Sequence, residues 1–230
     1  MKSFKDEFLS LAAHEIRTPI TVIKAQAQLA ARVYSQGKLD EQTLERSLKL
    51  FIQQSDRLEK LCSDLLDIAR LDLGQFVISP SVFDLGGVVS ATIEQMKSKS
   101  SGHEVFFKAN DGLVVYADRE RTGQVVQNLL QNSIRFSPRG GRIEVNAIGS
   151  RGKFAKVSIK DEGLGIAPDN LSKVFHRYYR ADTAAAGAYG LGLGLHLSRE
   201  IVHRMGGKIR ARSEGLGRGA EFYFTLPLHR

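Results

Sequence analysis

Residues 40–73 read DEQTLERSLKLFIQQSDRLEKLCSDLLDIARLDL, with no glycine and no proline. Leu44, Leu48, Phe51, Ser55, Leu58, Cys62, Leu65 and Ala69 recur at alternating steps of four and three, all but Ser55 apolar. That is the a/d seam of a heptad repeat. It predicts a single helix roughly 50 Å long at 1.5 Å per residue, with Asp40 or Thr43 as its N-cap. Such a helix cannot bury its stripe alone.

The residues before it carry a second helical pattern, from about Ser3 to Tyr34, whose stripe is Leu9, Ala13, Ile16, Ile20, Ile23, Ala27 and Ala30. Ser35-Gln36-Gly37-Lys38 breaks it, and Gly37 suits a left-handed cap. Two long helices on a short link make an antiparallel hairpin over residues 1–73. One hairpin has a thin core, so two are expected to pair as a dimeric four-helix bundle. Phe4, Phe8 and Leu11 lie off the stripe and widen its apolar face toward a second subunit.

After Leu73-Gly74 the pattern changes. Strand-like runs appear at Gln75–Ile78, Glu104–Lys108, Val114–Ala117, Arg142–Ala147, Ala155–Lys160, Lys208–Ser213 and Glu221–Leu226. Helical runs alternate with them at Leu85–Lys99, Arg119–Ile134, Leu171–Tyr178 and Gly194–Met205. The expected fold class is α+β: the hairpin, a short linker near residues 73–76, then an α/β sandwich over residues 74–230.

Composition narrows the function classes. Of 230 residues, 42% are apolar and 25% charged, an ordinary globular balance. The net charge of +8 is spread along the chain rather than gathered in a block. A dedicated nucleic-acid role is therefore not expected, and no membrane contact is expected from this segment. The single cysteine, Cys62, excludes an internal disulfide and fits a reducing compartment.

Four clusters carry chemistry. His14 lies roughly 150° from the centre of its helix's stripe and points to solvent. Glu15 is next to it and can accept a proton from the imidazole, Thr18 is one turn on, and Pro19 sits inside the helix. An internal proline costs about 3 kcal/mol or more, a cost better explained by a presented nucleophile than by packing. Asn128, Asn132 and Arg135 fall on one helix face at steps of four and three. Amide oxygens can ligate Mg²⁺, and a guanidinium can pair with phosphate. A plain solvated face reads the same way. Asp161-Glu162-Gly163-Leu164-Gly165 follows a strand, where a buried carboxylate can accept from an exocyclic amine and glycines admit close backbone approach. Gly187–Leu195 alternates glycine and leucine into a helix start, freeing N–H groups for phosphates. Residues 181–189 before it look like a mobile lid. A fifth run, Gly217–Phe222, reads as a turn into the last strand.

Together and in this order these motifs resemble the histidine kinase family over essentially the whole chain. FLSLAAHEIRTPIT resembles its phosphoacceptor box, QVVQNLLQNSIRFSPRGG its asparagine box, and DEGLGIAP, VFHRYYRAD, GLGLGL and GRGAEFYFTLP its glycine and phenylalanine boxes. The resemblance implies a Mg-ATP-dependent protein-histidine kinase. His14 would be the phosphoacceptor, Glu15 its proton acceptor, and Thr18 the residue orienting water in a phosphatase direction. Asn132, with Asn128, would hold Mg²⁺. Asp161 would read the adenine amino group, with Gly163 and Gly165 making room. Arg135, Arg180, Gly190, Gly192 and Gly194 would surround the triphosphate.

The implied partners are a second copy of the chain and the receiver domain of a response regulator. The implied location is cytoplasmic, either as part of a membrane-bound sensor or as a stand-alone kinase. Ile16, Ser133, Arg135 and Leu164 stand where Leu, Ala, Lys and Pro are commoner in the family. Two competing readings are an ATPase of the same fold and an inactive dimerising scaffold. The ATPases use a helix carboxylate as base, and Asn128, an amide, holds that position.

Overall fold

A computed structural model describes residues 4–38, 40–96, 102–150, 152–180 and 191–229, with side chains from Ser10 onward. The chain divides into two compact units, one ending at Gln75 and the other starting at Phe76.

The first unit is a hairpin of α1 (Phe4–Ser35) and α2 (Glu41–Asp72). Asp40 caps α2, its side chain accepting from the Thr43 N–H at 2.7 Å. Gly37 and Gly74 end the two helices at φ 64° and 69°. The sharp stop after α2 follows from that geometry, with the Gln75 N–H donating to the Arg70 carbonyl at 2.8 Å. α1 runs on through Pro19.

The helices meet on faces other than those the apolar stripes suggest. The covered face of α1 is Ala12, Glu15 and Pro19, continued by the half-buried Val22, Gln26 and Val33. The covered face of α2 is Ser47, Leu61, Asp64, Asp67 and Ile68, joined by the half-buried Leu50, Gln54 and Arg57. Polar pairs join the two: Gln26 Nε2 donates to Ser47 Oγ at 2.8 Å, and Arg57 Nη2 reaches Glu15 Oε2 at 3.1 Å. The heptad seam of α2 is left largely open, with Leu44 44% and Leu48 49% exposed. Ile20 on α1 is also exposed, at 50%. Each helix therefore carries two seams. A mixed one, apolar with ionic and polar pairs, closes the hairpin, and the apolar one faces outward.

The second unit begins with β1 (Ser81–Asp84), α3 (Leu85–Met96), β2 (His103–Ala109), β3 (Val114–Ala117) and α4 (Arg119–Arg135). It continues with β4 (Gly141–Ser150), β5 (Phe154–Asp161), α5 (Pro168–Leu171), α6 (Gly194–Arg204), β6 (Lys208–Arg212) and β7 (Ala220–Pro227). Five strands form one sheet in the order β2-β4-β5-β7-β6, while β1 and β3 pair separately. β2 runs parallel to β4 and the other neighbours are antiparallel. α4 packs against α3, α6 and β5. Period-two burial on the strands and one face of α4 make the core: Ile143, Val145 and Ala147 from β4, Phe222, Phe224 and Leu226 from β7, and Val125, Val126, Leu129 and Leu130 from α4.

Two expected elements differ. Gln75–Ile78 is not a strand; the first strand is Ser81–Asp84. Phe76 is nevertheless buried, with the Arg121 guanidinium 4.6 Å above its ring. Leu171–Tyr178 is not a continuing helix either. After the one-turn α5 the chain folds into successive turns, ending at Tyr178 with a left-handed φ of 64°.

Candidate functional site

In the hairpin His14 is exposed and its neighbour Glu15 is buried, as helical geometry separates adjacent side chains by about 100°. Glu15 turns into the α1–α2 interface, where the Arg57 guanidinium holds it. Arg57 was not legible as a functional residue, because a basic residue inside a heptad reads as solvated surface. The Thr18 hydroxyl, half-buried one turn after His14, donates to the His14 carbonyl at 3.1 Å.

In the second unit the geometry centres on Asp161, at the end of β5. Its carboxylate is 3% exposed. Oδ1 accepts the Gly163 N–H at 3.0 Å and the Ala220 N–H at 3.2 Å, while Oδ2 accepts the Ser133 hydroxyl of α4 at 3.0 Å. Burial pushes the Asp161 carboxyl above the ordinary carboxylate range, and these three donors pull it back.

The loop after Asp161 is pressed between two other segments. A Cβ on Gly163 would lie 2.3 Å from the Phe136 carbonyl oxygen, and one on Gly165 would lie 2.1 Å from that of Gly215. Only glycine fits such approaches, so the room these glycines leave is taken by the protein's own backbone. The Gly217 N–H donates to the Leu164 carbonyl at 2.7 Å, and the Gly219 N–H to the Gly163 carbonyl at 3.2 Å. The turn before β7, unremarkable in sequence, thus forms one wall of the loop.

α4 contributes Asn128, Asn132 and Arg135. Asn128 is buried, and its Nδ2 donates to the Gly194 carbonyl at 3.4 Å and to Ser198 Oγ at 3.3 Å. It ties α4 to the start of α6, a use that the one-face reading of the helix missed. Asn132 and Arg135 are half-buried. Among the described residues no three His, Cys, Asp or Glu side chains converge on a cation position. The donors on α4 are amide oxygens, which suit a cation that keeps waters and phosphates around it.

Gly192 has φ 66°, and a Cβ there would lie 2.7 Å from the Tyr179 carbonyl oxygen. Gly194 is the first residue of α6. Arg180 is half-buried. Gly190 and the expected lid at 181–189 fall outside the described residues.

Comparison with known proteins covers both units. Residues 4–74 match the family model of the His Kinase A (phospho-acceptor) domain. Residues 117–230 match that of the histidine kinase-, DNA gyrase B-, and HSP90-like ATPases. The chain is 29% identical to sensor histidine kinase WalK of Bacillus subtilis, over 99% of its own length and 37% of that protein. It is 30% identical to sensor protein SrrB of Staphylococcus aureus, over 99% of its length and 39% of that protein. It spans about two fifths of the length of these curated relatives.

Among solved structures, it matches full-length ShkA in complex with AMPPNP with a TM-score of 0.68 and 27% identity, over 97% of the chain and 46% of ShkA. It matches histidine kinase ThkA in complex with response regulator protein TrrA with a TM-score of 0.70 and 25% identity, over 97% of the chain and 61% of that one.

Proposed function

We propose, on the premise that the chain belongs to the sensor histidine kinase family, that it moves the γ-phosphoryl group of ATP to its own His14 and on to an aspartate of a separate response regulator. The observation that carries the proposal is the Asp161 carboxylate, buried and held by three donors above a glycine-pinned loop, in a chain that also exposes His14 on α1. The complexes of ShkA with AMPPNP and of ThkA with TrrA support the two substrate classes.

The neutral imidazole of His14 attacks the γ-phosphorus through Nε2. A P–N bond forms, the bond to the β,γ-bridging oxygen breaks, and ADP leaves. The Nδ1 proton passes to a carboxylate, for which Glu15 is the nearest in sequence. Arg57 holds the Glu15 carboxylate at its Oε2. Asp161 orients the base by accepting from its exocyclic amine. Asn132, with the amide oxygen of Asn128, would hold Mg²⁺, which when bound neutralises phosphate charge. Arg135, Arg180 and the N–H groups near Gly192 and Gly194 would bind the phosphate oxygens, at the positive end of the α6 dipole. Residues 1–73 would form the phosphotransfer domain and residues 74–230 the nucleotide domain.

The outward apolar seams of α1 and α2 fit a homodimer of hairpins. No helix among the described residues is long and apolar enough to cross a membrane. We place this segment on the cytoplasmic side, where ATP and the regulator are. The deciding experiment is incubation with γ-labelled Mg-ATP, followed by mapping of acid-labile phosphate. Label on His14 is the expected result, and label elsewhere, or none, rejects the proposal.

A further inference from the structure

We propose that the free edge of β6, with the groove beside it, takes an acidic extended segment of a partner protein, which adds to the sheet as a further strand. The proposal goes beyond the kinase reading and does not rest on it. Strand order puts β6 at one end of the five-stranded sheet, so one side of its backbone has no neighbour among the described strands. An edge strand presents a row of open N–H and C=O groups that a second chain can pair with. β6 reads Lys208-Ile209-Arg210-Ala211-Arg212, cations alternating with small or apolar residues and no acid. The three cations are exposed, while Ile209 and Ala211 are half-buried. β2, at the other edge, carries both signs in Glu104 and Lys108. Its charges offset, whereas those of β6 add.

Charge on an edge by itself is commonly a guard against strand pairing. A second observation separates the two cases. Between α6 and β6 lies a groove of about 390 Å³, lined by Arg199, Glu200 and His203 from the helix and by Lys208, Ile209 and Arg210 from the strand. Its cations thus come from two elements, and a helix has no edge to guard. Its one carboxylate, Glu200, faces Arg199 at 3.8 Å. Lys208 and Arg210 have no ion-pair partner among the described residues, so the groove keeps uncompensated positive charge. Side chains of a strand alternate between faces. Acidic residues at every second position of an added strand meet Lys208 and Arg210, and small or apolar residues between them fit beside Ile209 and Ala211. Backbone pairing supplies the affinity, and the alternate carboxylates supply the choice of partner.

The test uses the full chain and a short labelled peptide alternating glutamate and valine, followed by fluorescence anisotropy. One companion peptide has lysine in place of glutamate. Two others carry N-methyl groups on one or the other set of alternate amides, which then cannot donate to a ladder. The expected result is saturable binding of the glutamate peptide, none of the lysine peptide, and loss of affinity on methylating one amide set but not the other. Hydrogen exchange of the β6 amides should slow on binding. Arg210→Glu should weaken binding about tenfold or more by setting like charges opposite one another, and Lys208→Gln should weaken it less. Both side chains are exposed, so the fold and nucleotide binding should be kept. Absence of binding would mean that the cations only guard the edge. Equal binding of both methylated peptides, or binding unaltered in Arg210→Glu, would mean nonspecific attraction to a chain of net charge +8. Either result overturns the proposal and leaves the kinase reading standing.

Discussion

The two units solve the burial problem in opposite ways. The α/β unit hides its apolar side chains, with Val125, Leu129, Val145 and Phe224 all fully buried. The hairpin covers polar and charged ones, Glu15, Ser47, Asp64 and Asp67, alongside Ala12, Leu61 and Ile68, and leaves Leu44, Leu48, Ile52 and Leu66 in the open. Burial pushes the Asp64 carboxyl upward, against the pull of Lys60 at 3.0 Å. A helical hairpin that buries charge and exposes a row of leucines presents an apolar face for a further partner. On the proposed reading the hairpin is built to be joined, and the sandwich to hold the nucleotide.

The largest effect that separates the units is chemical. His14→Gln should abolish acid-labile labelling while ATP affinity, measured by titration, stays unchanged. Label in that variant at the normal rate would falsify the assignment of the nucleophile.

Next comes stability. Leu129→Ala removes a fully buried side chain from the sandwich and should cost about 2–5 kcal/mol in denaturant unfolding. Leu48→Ala touches the open seam, so it should leave the unfolding of the isolated α/β unit's signal in place and shift the monomer–dimer equilibrium seen by sedimentation. A Leu48→Ala protein that self-associates as before would remove the distinction drawn between the two seams.

Smaller still, Asn132→Ala should weaken Mg-ATP binding about tenfold, with the fold kept by circular dichroism. Unchanged affinity in Mg²⁺ would move the cation to other residues.

Thr18→Ala should leave autophosphorylation within a few-fold while slowing dephosphorylation of a phosphorylated receiver domain. In the structure the Thr18 hydroxyl donates to the His14 carbonyl. If both rates change together, that bond is its whole role.

The slightest signal is in pH. Burial raises the Asp161 carboxyl value in the fold above its unfolded one. Its contribution to stability is thus most favourable at low pH and declines as pH rises through the folded value. Nucleotide affinity, which needs the ionised form, should climb over the same window. Parallel rather than opposed trends would detach the acid from the site.

The sequence made the helices, most strands and the clusters legible, because heptads, period-two runs and glycine patterns are local. It misplaced the hairpin's inner face, since Glu15, Arg57, Gln26 and Ser47 interrupt the apolar positions of that interface. It took Gln75–Ile78 for a strand from the apolar run Phe76-Val77-Ile78, although Phe76 is buried beneath the Arg121 guanidinium and the run pairs with no strand. It missed Ser81–Asp84, four residues beside Pro80, which gain their partner only when β3 arrives. Within the site, Asp161 and its glycines stood out, and Ser133 was noted only as a departure from the commoner alanine. Its meaning depends on a strand end 28 residues away in the chain.

The sheet's order has a consequence for how the molecule comes together in time. β4 and β5 are sequence neighbours and pair over a short turn, so they close first. β2 pairs with β4 in parallel, and the chain between them contains α4, so docking that crossover brings Ser133 to Asp161. β7 comes last, from beyond α6, and with it the Ala220 N–H. The hydrogen-bond set of Asp161 is therefore completed only at the final long-range closure, and a chain stalled before that step holds a folded helix face with an unfinished carboxylate. Competence to bind nucleotide would then mark the end of folding, and refolding followed by nucleotide fluorescence should lag behind refolding followed by helix content.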